Sequence, residues 1–191
     1  MARIGLFGGS FDPVHLGHLL VAQAACEEFA LDSIQFIPAA RSPFKPDRQP
    51  APDRQREQLL RLALAGESRM HVDLSELSRG GVSYTIETVR HFAAKFPNTE
   101  LFWLIGADHV PTLNKWRDAE TLAGAVEFLV IPRPGEPPAT APEGFTTHLL
   151  RGFPLGVSSS EIRERVRVGL PIRHLTGQAV SEAICNNALY L

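Results

Sequence analysis

The chain has 191 residues, with 19 Lys+Arg against 21 Asp+Glu and a formal net charge of −2. That length fits one domain, and 44% apolar residues support a real core, which excludes wholesale disorder. The near-neutral balance removes any bulk electrostatic case for nucleic acid or an anionic membrane surface. Two isolated cysteines, Cys26 and Cys185, cannot form a disulfide scaffold and read as small buried hydrophobes in a reducing cytosol. No stretch reads as a signal segment or membrane span, so the expected location is cytoplasmic.

Taken in chain order, Arg3–Phe7 reads as a buried strand. Leu16–Phe29 carries Leu19, Leu20, Ala22, Cys26 and Phe29 at helical spacing. Ser33–Ile37 is a second strand, and Asp53–Ala65 a helix with Asp53 as its expected N-cap. Met70–Leu74 reads as a strand, and Thr85–Phe96 as a helix stopped by Pro97 and Asn98. Glu100–Ile105 and Glu127–Ile131 are strands, Ser159–Val168 is a helix, and a short helix follows near Ser181–Asn187. Ten of the fifteen prolines fall in 38–52 and 132–142, which marks both segments as irregular loops. Strand–helix alternation predicts an α/β fold: a Rossmann-like, doubly wound parallel sheet with helices on both faces. One domain spans 1–191, with a helical part from about 158 to 191. Right-handed crossovers place the C-terminal ends of all strands on one edge, and ligands bind there, where the strand order reverses.

The residues after each strand are therefore the informative ones. Gly8–Leu19 reads GGSFDPVHLGHL. Gly8 and Gly9 permit positive φ and close approach of backbone to a ligand. The following helix start offers free N–H groups to a phosphate. His15 and His18, three apart, share one face, and Gly17 leaves that face without a blocking side chain. This is not a P-loop, since no Gly-Lys-Ser/Thr follows, nor the GxGxxG dinucleotide fingerprint. Strand two runs into Pro38-Ala39-Ala40-Arg41, with no acid for a ribose. No set of His, Cys and carboxylates has metal-ligand spacing. On these residues alone, a pair of helix-capping histidines competes with a phosphate site. Later, Ser158–Ser160 precede a helix, Glu161 stands near capping-box spacing from Ser158, and the Arg163 guanidinium sits within reach of the same helix start.

Gly8–Leu19 resembles the GGxFDPxHxGH signature of a nucleotidyltransferase superfamily. Gly156–Val166 (GVSSSEIRERV) resembles its ISSTxIR motif, departing at Val157 and Ser160. The likeness implies that Gly8, Gly9, Ser10 and Phe11 line a nucleotide triphosphate, that His15 and His18 contact its phosphates, and that Ser158, Ser159 and Arg163 bind it. Across essentially the whole chain the resemblance is to the bacterial nicotinate-nucleotide adenylyltransferases. His15 is the residue this branch has ahead of xGH. SPFKP (Ser42–Pro46) resembles its basic loop and puts Lys45 at a phosphate; SYTIET (Ser83–Thr88) puts Thr85 at the pyridine nucleotide. LIGADHV (Leu104–Val110) puts Gly106 and Asp108 on the ATP side, and Trp116 would stack on the pyridine ring. IPRPG (Ile131–Gly135) supplies Arg133, and AICNNALYL resembles the usual ending. Arg117 departs from the pattern, which commonly has tyrosine there.

The resemblance implies adenylyl transfer from ATP to nicotinate mononucleotide, giving the deamido-dinucleotide and pyrophosphate. Ser10, Lys45, Thr85, Trp116 and Arg133 would meet the mononucleotide. His15, His18 and Arg163 would be catalytic, with His18 at the α-phosphate and the other two at the β/γ groups. Candidate cations are these three with Lys45 and Arg133, plus Mg2+ bound mainly through ATP phosphates rather than by a protein metal site. The alternatives are a sister enzyme, such as a pantetheine-phosphate adenylyltransferase, and a catalytically silent nucleotide-binding regulator. Neither nucleic acid nor membrane is an expected partner, while a homo-oligomer is compatible with the sequence.

Overall fold

The computed structural model describes residues 1–44, 49–133, 135, 140–153 and 155–191. Lys45 lies outside the described residues. The elements run β1 (Ala2–Gly9), α1 (Leu16–Glu28), β2 (Ser33–Pro38), α2 (Asp53–Ala63), β3 (Met70–Val72), α3 (Ser75–Arg79), α4 (Thr85–Lys95) and β4 (Thr99–Gly106). A 3-10 segment (Ala107–Lys115), α5 (Ala119–Ala125), β5 (Glu127–Ile131), β6 (Thr147–Leu149), α6 (Ser159–Arg167), α7 (Arg173–Thr176) and α8 (Gln178–Asn186) follow.

The six strands form one sheet in the order β3-β2-β1-β4-β5-β6, and every neighbouring pair is parallel. The order reverses between β1 and β4, as the doubly wound expectation requires. Both faces are covered, so the central strands are apolar on both sides. Ile4 and Leu6 of β1, Leu101, Trp103 and Ile105 of β4, and Phe128 and Val130 of β5 pack into one core, with Ile86, Val89 and Phe92 of α4. Phe7, Phe102, Leu104 and Leu129 point the other way, into a core shared with Ala22, Ala25 and Cys26 of α1 and Leu59 and Leu60 of α2. Ile172, Val180 and Ile184 join this second core, so the C-terminal helices are part of the domain rather than an appendage.

Several expectations need correction. Asp53 is not the N-cap of α2: Pro52 holds that position, and Asp53 is the first helical residue. Its carboxylate is drawn instead to Arg56, one turn on. Cys185 is exposed on α8, whereas Cys26 is buried as expected. The strand expected over Met70–Leu74 ends at Val72, and the last helix begins at Gln178 rather than Ser181. Among the described residues no helix is long and apolar enough to cross a membrane.

Candidate active site

The C-terminal ends of β1, β4 and β5 converge at the reversal point. Gly8 and Gly9 end β1, and neither uses the positive φ that glycine permits. Space requires glycine at the first and crowds a side chain at the second. A Cβ on Gly8 would lie 2.7 Å from Trp103 Cζ2, and one on Gly9 3.2 Å from the Phe11 ring. The positive φ in this loop belongs to Phe11, at 44°, a strained value for a bulky residue.

The loop that follows is held by its carbonyls, which bond to three different parts of the molecule. Gly9 O accepts Ala39 N–H at 2.9 Å, and Ser10 O accepts Arg56 Nη1 at 2.8 Å. Asp12 O accepts Arg163 Nη1 at 2.7 Å, and Pro13 O accepts the Ser159 hydroxyl at 2.8 Å. The buried Asp12 carboxylate accepts Ala51 N–H at 3.0 Å. Arg56 is wholly buried, and it also donates Nε to Ala51 O at 3.1 Å and Nη2 to Asp53 Oδ1 at 2.5 Å. Three separate stretches of chain thus fix the segment that delivers the histidines.

His15 is the N-cap of α1, and its ring stacks on His18 with centroids 3.7 Å apart. The His15 backbone N–H donates to His18 Nδ1 at 3.2 Å. That nitrogen therefore accepts, and the ring proton of His18 sits on Nε2. Phe7 and Phe11 back the His18 ring at 5.8 and 5.0 Å. His15 is only 8% exposed, and burial pushes its imidazole down to about 4. Burial thus favours the neutral form of the His15 ring in the ligand-free protein. Gly17 does leave the face clear. A Cβ at that position would lie 3.0 Å from both His15 Nδ1 and Val157 Cγ1.

Two cavities of about 410 Å³ each flank the reversal point. One is lined by Gly8, Gly9, Ser10, Thr85 and Trp116, the other by His15, Gly17, His18 and Ser158. Phe7, Gly106, Asp108 and Arg133 border both. Across this shared wall Arg133 Nη2 pairs with Asp108 Oδ2 at 2.8 Å. Ser158 caps α6, its Oγ accepting Glu161 N–H at 3.2 Å, as the serine run led us to expect. Trp116, half-buried, carries a buried Nε1 with no hydrogen-bond partner among the described residues.

The sequence-predicted site residues therefore separate into two groups. Eleven described ones border the cavities; Phe11, Ser159 and Arg163 do not. Phe11 is 1% exposed with its ring in the core, so only its backbone is left to meet a ligand. Arg163 spends Nη1 on Asp12 O and Nη2 on the Ser160 hydroxyl at 2.9 Å. Sequence reasoning missed Phe44 and His109, whose rings lie 4.7 Å apart and wall the first cavity with Trp116. It also missed Arg56, although a trace existed: Arg56, Leu59 and Leu60 form the buried stripe of α2, an odd place for a charge unless its fork is fully bonded. Among the described residues no group of three His, Cys, Asp or Glu could hold a metal ion.

A family model described as cytidylyltransferase-like matches residues 6–165, and the chain belongs to that family of nucleotidyltransferases. Within it, the chain belongs to the nicotinate-nucleotide adenylyltransferases. A relative from Opitutus terrae, named "Probable nicotinate-nucleotide adenylyltransferase", is 40% identical over 190 residues, covering 98% of this chain and 97% of the relative. One of the same name from Thermus thermophilus is 41% identical over 193 residues, covering 98% and 99%. The fold is shared with Plasmodium falciparum nicotinic acid mononucleotide adenylyltransferase complexed with NaAD. That match has a TM-score of 0.78 at 18% identity, covering all of this chain and 98% of that one.

Proposed function

We propose that the chain transfers the adenylyl group of ATP to nicotinate mononucleotide, releasing pyrophosphate and forming nicotinate adenine dinucleotide, a step of NAD biosynthesis. The observation that carries this reading is the pair of equal cavities sharing the Asp108–Arg133 wall at the β1/β4 reversal. A reaction between two nucleotides needs two sites that meet at one point. The histidine-lined cavity takes ATP, and the aromatic-walled cavity takes the acceptor. The names of the full-length relatives favour this acceptor over pantetheine phosphate, and a catalyst over a silent regulator.

The attacking group is a phosphate monoester, whose second pKa of about 6 leaves it mostly dianionic at neutral pH. No strong base is needed. The protein's task is to hold two anions in line and offset charge on the leaving pyrophosphate. His18 donates Nε2–H to the reacting α-phosphate. His15, neutral in the free protein, gains a proton or donates a single N–H as the β/γ phosphates arrive. Ser158 and the start of α6 border the same space. Arg163 acts first through the backbone, holding Asp12 O and hence the approach to His15. On the acceptor side, Trp116 stacks on the pyridine, Thr85 at the start of α4 faces its carboxylate, and Lys45 and Arg133 meet the mononucleotide phosphate. Arg133 must then exchange Asp108 for that phosphate.

Mg2+, when bound, neutralises triphosphate charge. The described residues offer it no three-ligand cage, so the phosphates themselves would be its main ligands. The free thiols of Cys26 and Cys185 support a reducing, cytoplasmic setting. The test is pyrophosphate release from ATP against a panel of phosphate acceptors. Turnover with nicotinate mononucleotide above all others is expected; preference for another acceptor overturns the assignment.

A further inference from the structure

Glu76 has no part in the chemistry above, yet it borders the acceptor cavity. It stands on α3 and is 3% exposed. Its Oε1 accepts the hydroxyl of Thr88 at 2.5 Å, and Thr88, fully buried, lies on the first turn of α4. The Ser83 hydroxyl lies close enough to the same carboxyl to favour its charged form. Ser83 Oγ in turn accepts Ala40 N–H at 3.1 Å, and Ser83 N–H donates to Arg41 O at 2.9 Å. One carboxyl thus joins the residues after β2, the approach to α4, and the first turn of α4.

Those three segments are the walls of the acceptor cavity: Ala39, Ser83 and Thr85 border it along with Glu76. None of them borders the histidine-lined cavity. Keeping a carboxyl buried is costly, and an apolar residue of similar shape usually serves stability as well. Burial pushes the Glu76 carboxyl up, against the pull of Thr88 and Ser83.

We infer that Glu76 is a positioning residue for the acceptor: its carboxyl locks Ser83 and Thr88 together and so fixes Thr85 against the pyridine-binding wall. The inference rests on assigning that cavity to nicotinate mononucleotide. It acts on one substrate only, and that separates it from a general contribution to folding.

The experiment is steady-state kinetics with both substrates varied, on wild type and on Glu76→Gln, Glu76→Ala and Thr88→Val. Glu76→Ala raises KM for nicotinate mononucleotide by about tenfold or more, since the buried bond from Thr88 and the contact with Ser83 are lost. KM for ATP stays within about twofold. Glu76→Gln, which keeps an acceptor for Thr88, recovers most of the loss. If Glu76→Ala does not fold, Thr88→Val, which keeps shape and drops the hydroxyl, carries the same substrate-selective rise at smaller size. Equal rises in both KM values, no rise in either, or a fall in kcat alone overturns the inference. Wild type that fails to turn over nicotinate mononucleotide overturns the functional reading beneath it. Wild-type turnover with unaffected variants overturns only the role of Glu76.

Discussion

Replacing Arg56 with Met keeps the aliphatic stem and removes the fork. Arg56 is 0% exposed, so no water replaces the lost donors. Ser10 O and Ala51 O lose partners at 2.8 and 3.1 Å. Each buried acceptor left unsatisfied costs about 1–3 kcal/mol. The bond to Asp53, whose side chain is 55% exposed, adds about 0–1 kcal/mol. Removing the buried guanidinium returns part of this through relieved desolvation. A net loss of about 3 kcal/mol results, which at about 2–4 °C per kcal/mol for a chain of this size lowers Tm by about 6–12 °C. Urea unfolding and a calorimetric melt measure it. Because Ser10 O is then untethered, kcat of the folded variant also falls by about tenfold or more, in line with the cost of misplaced positioning groups. Arg56→Lys, restoring one bond, lies between. A stability loss below about 1 kcal/mol, or a full loss with unchanged turnover, refutes the claim that this tether positions the loop.

Four further outcomes are expected. His18→Ala lowers kcat by orders of magnitude while the melt stays near wild type, because the ring lies at the cavity rather than at the centre of the core. Gly17→Ala places a Cβ 3.0 Å from His15 Nδ1, so activity falls although alanine favours the helix by about 0.5–1 kcal/mol. His15, lowered to about 4, binds fewer protons folded than unfolded between about pH 4 and 6.5, so its contribution to stability is present above that window and is lost as pH falls through it. Urea unfolding at pH 7.5 and 4.5 should show about 2–3 kcal/mol more acid loss in wild type than in His15→Gln; equal losses contradict the burial argument. Chelation with EDTA stops pyrophosphate release, and added Mg2+ restores it.

The sheet was legible because its central strands are continuous apolar runs, Leu101–Ile105 and Phe128–Val130 among them, which only a doubly covered sheet accommodates. The short elements were not. α3 has five residues, the 3-10 segment carries Pro111 inside it, and β6 is three residues at a sheet edge with Leu149 half exposed. None is long enough to show a period. The nucleotide loop was legible as a motif, but its reasons lie elsewhere in the chain. Gly8 is glycine because of the Trp103 ring on the next strand, and Ser10 is held by Arg56, 46 residues on. The neutral state of His15 follows from burial that no local pattern announces. Phe11 at positive φ carries no sequence signal at all. Contacts between distant segments decide these features, while spacing within a segment decides the long strands and helices and the Ser158 cap.

The most direct test of the central claim follows the adenylyl group itself. The protein is incubated with Mg2+, nicotinate mononucleotide and ATP labelled at the α-phosphate, and the products are separated. The label should move into nicotinate adenine dinucleotide, with one pyrophosphate released per dinucleotide formed. Label left in ATP, or appearing as AMP or ADP without dinucleotide, would contradict it.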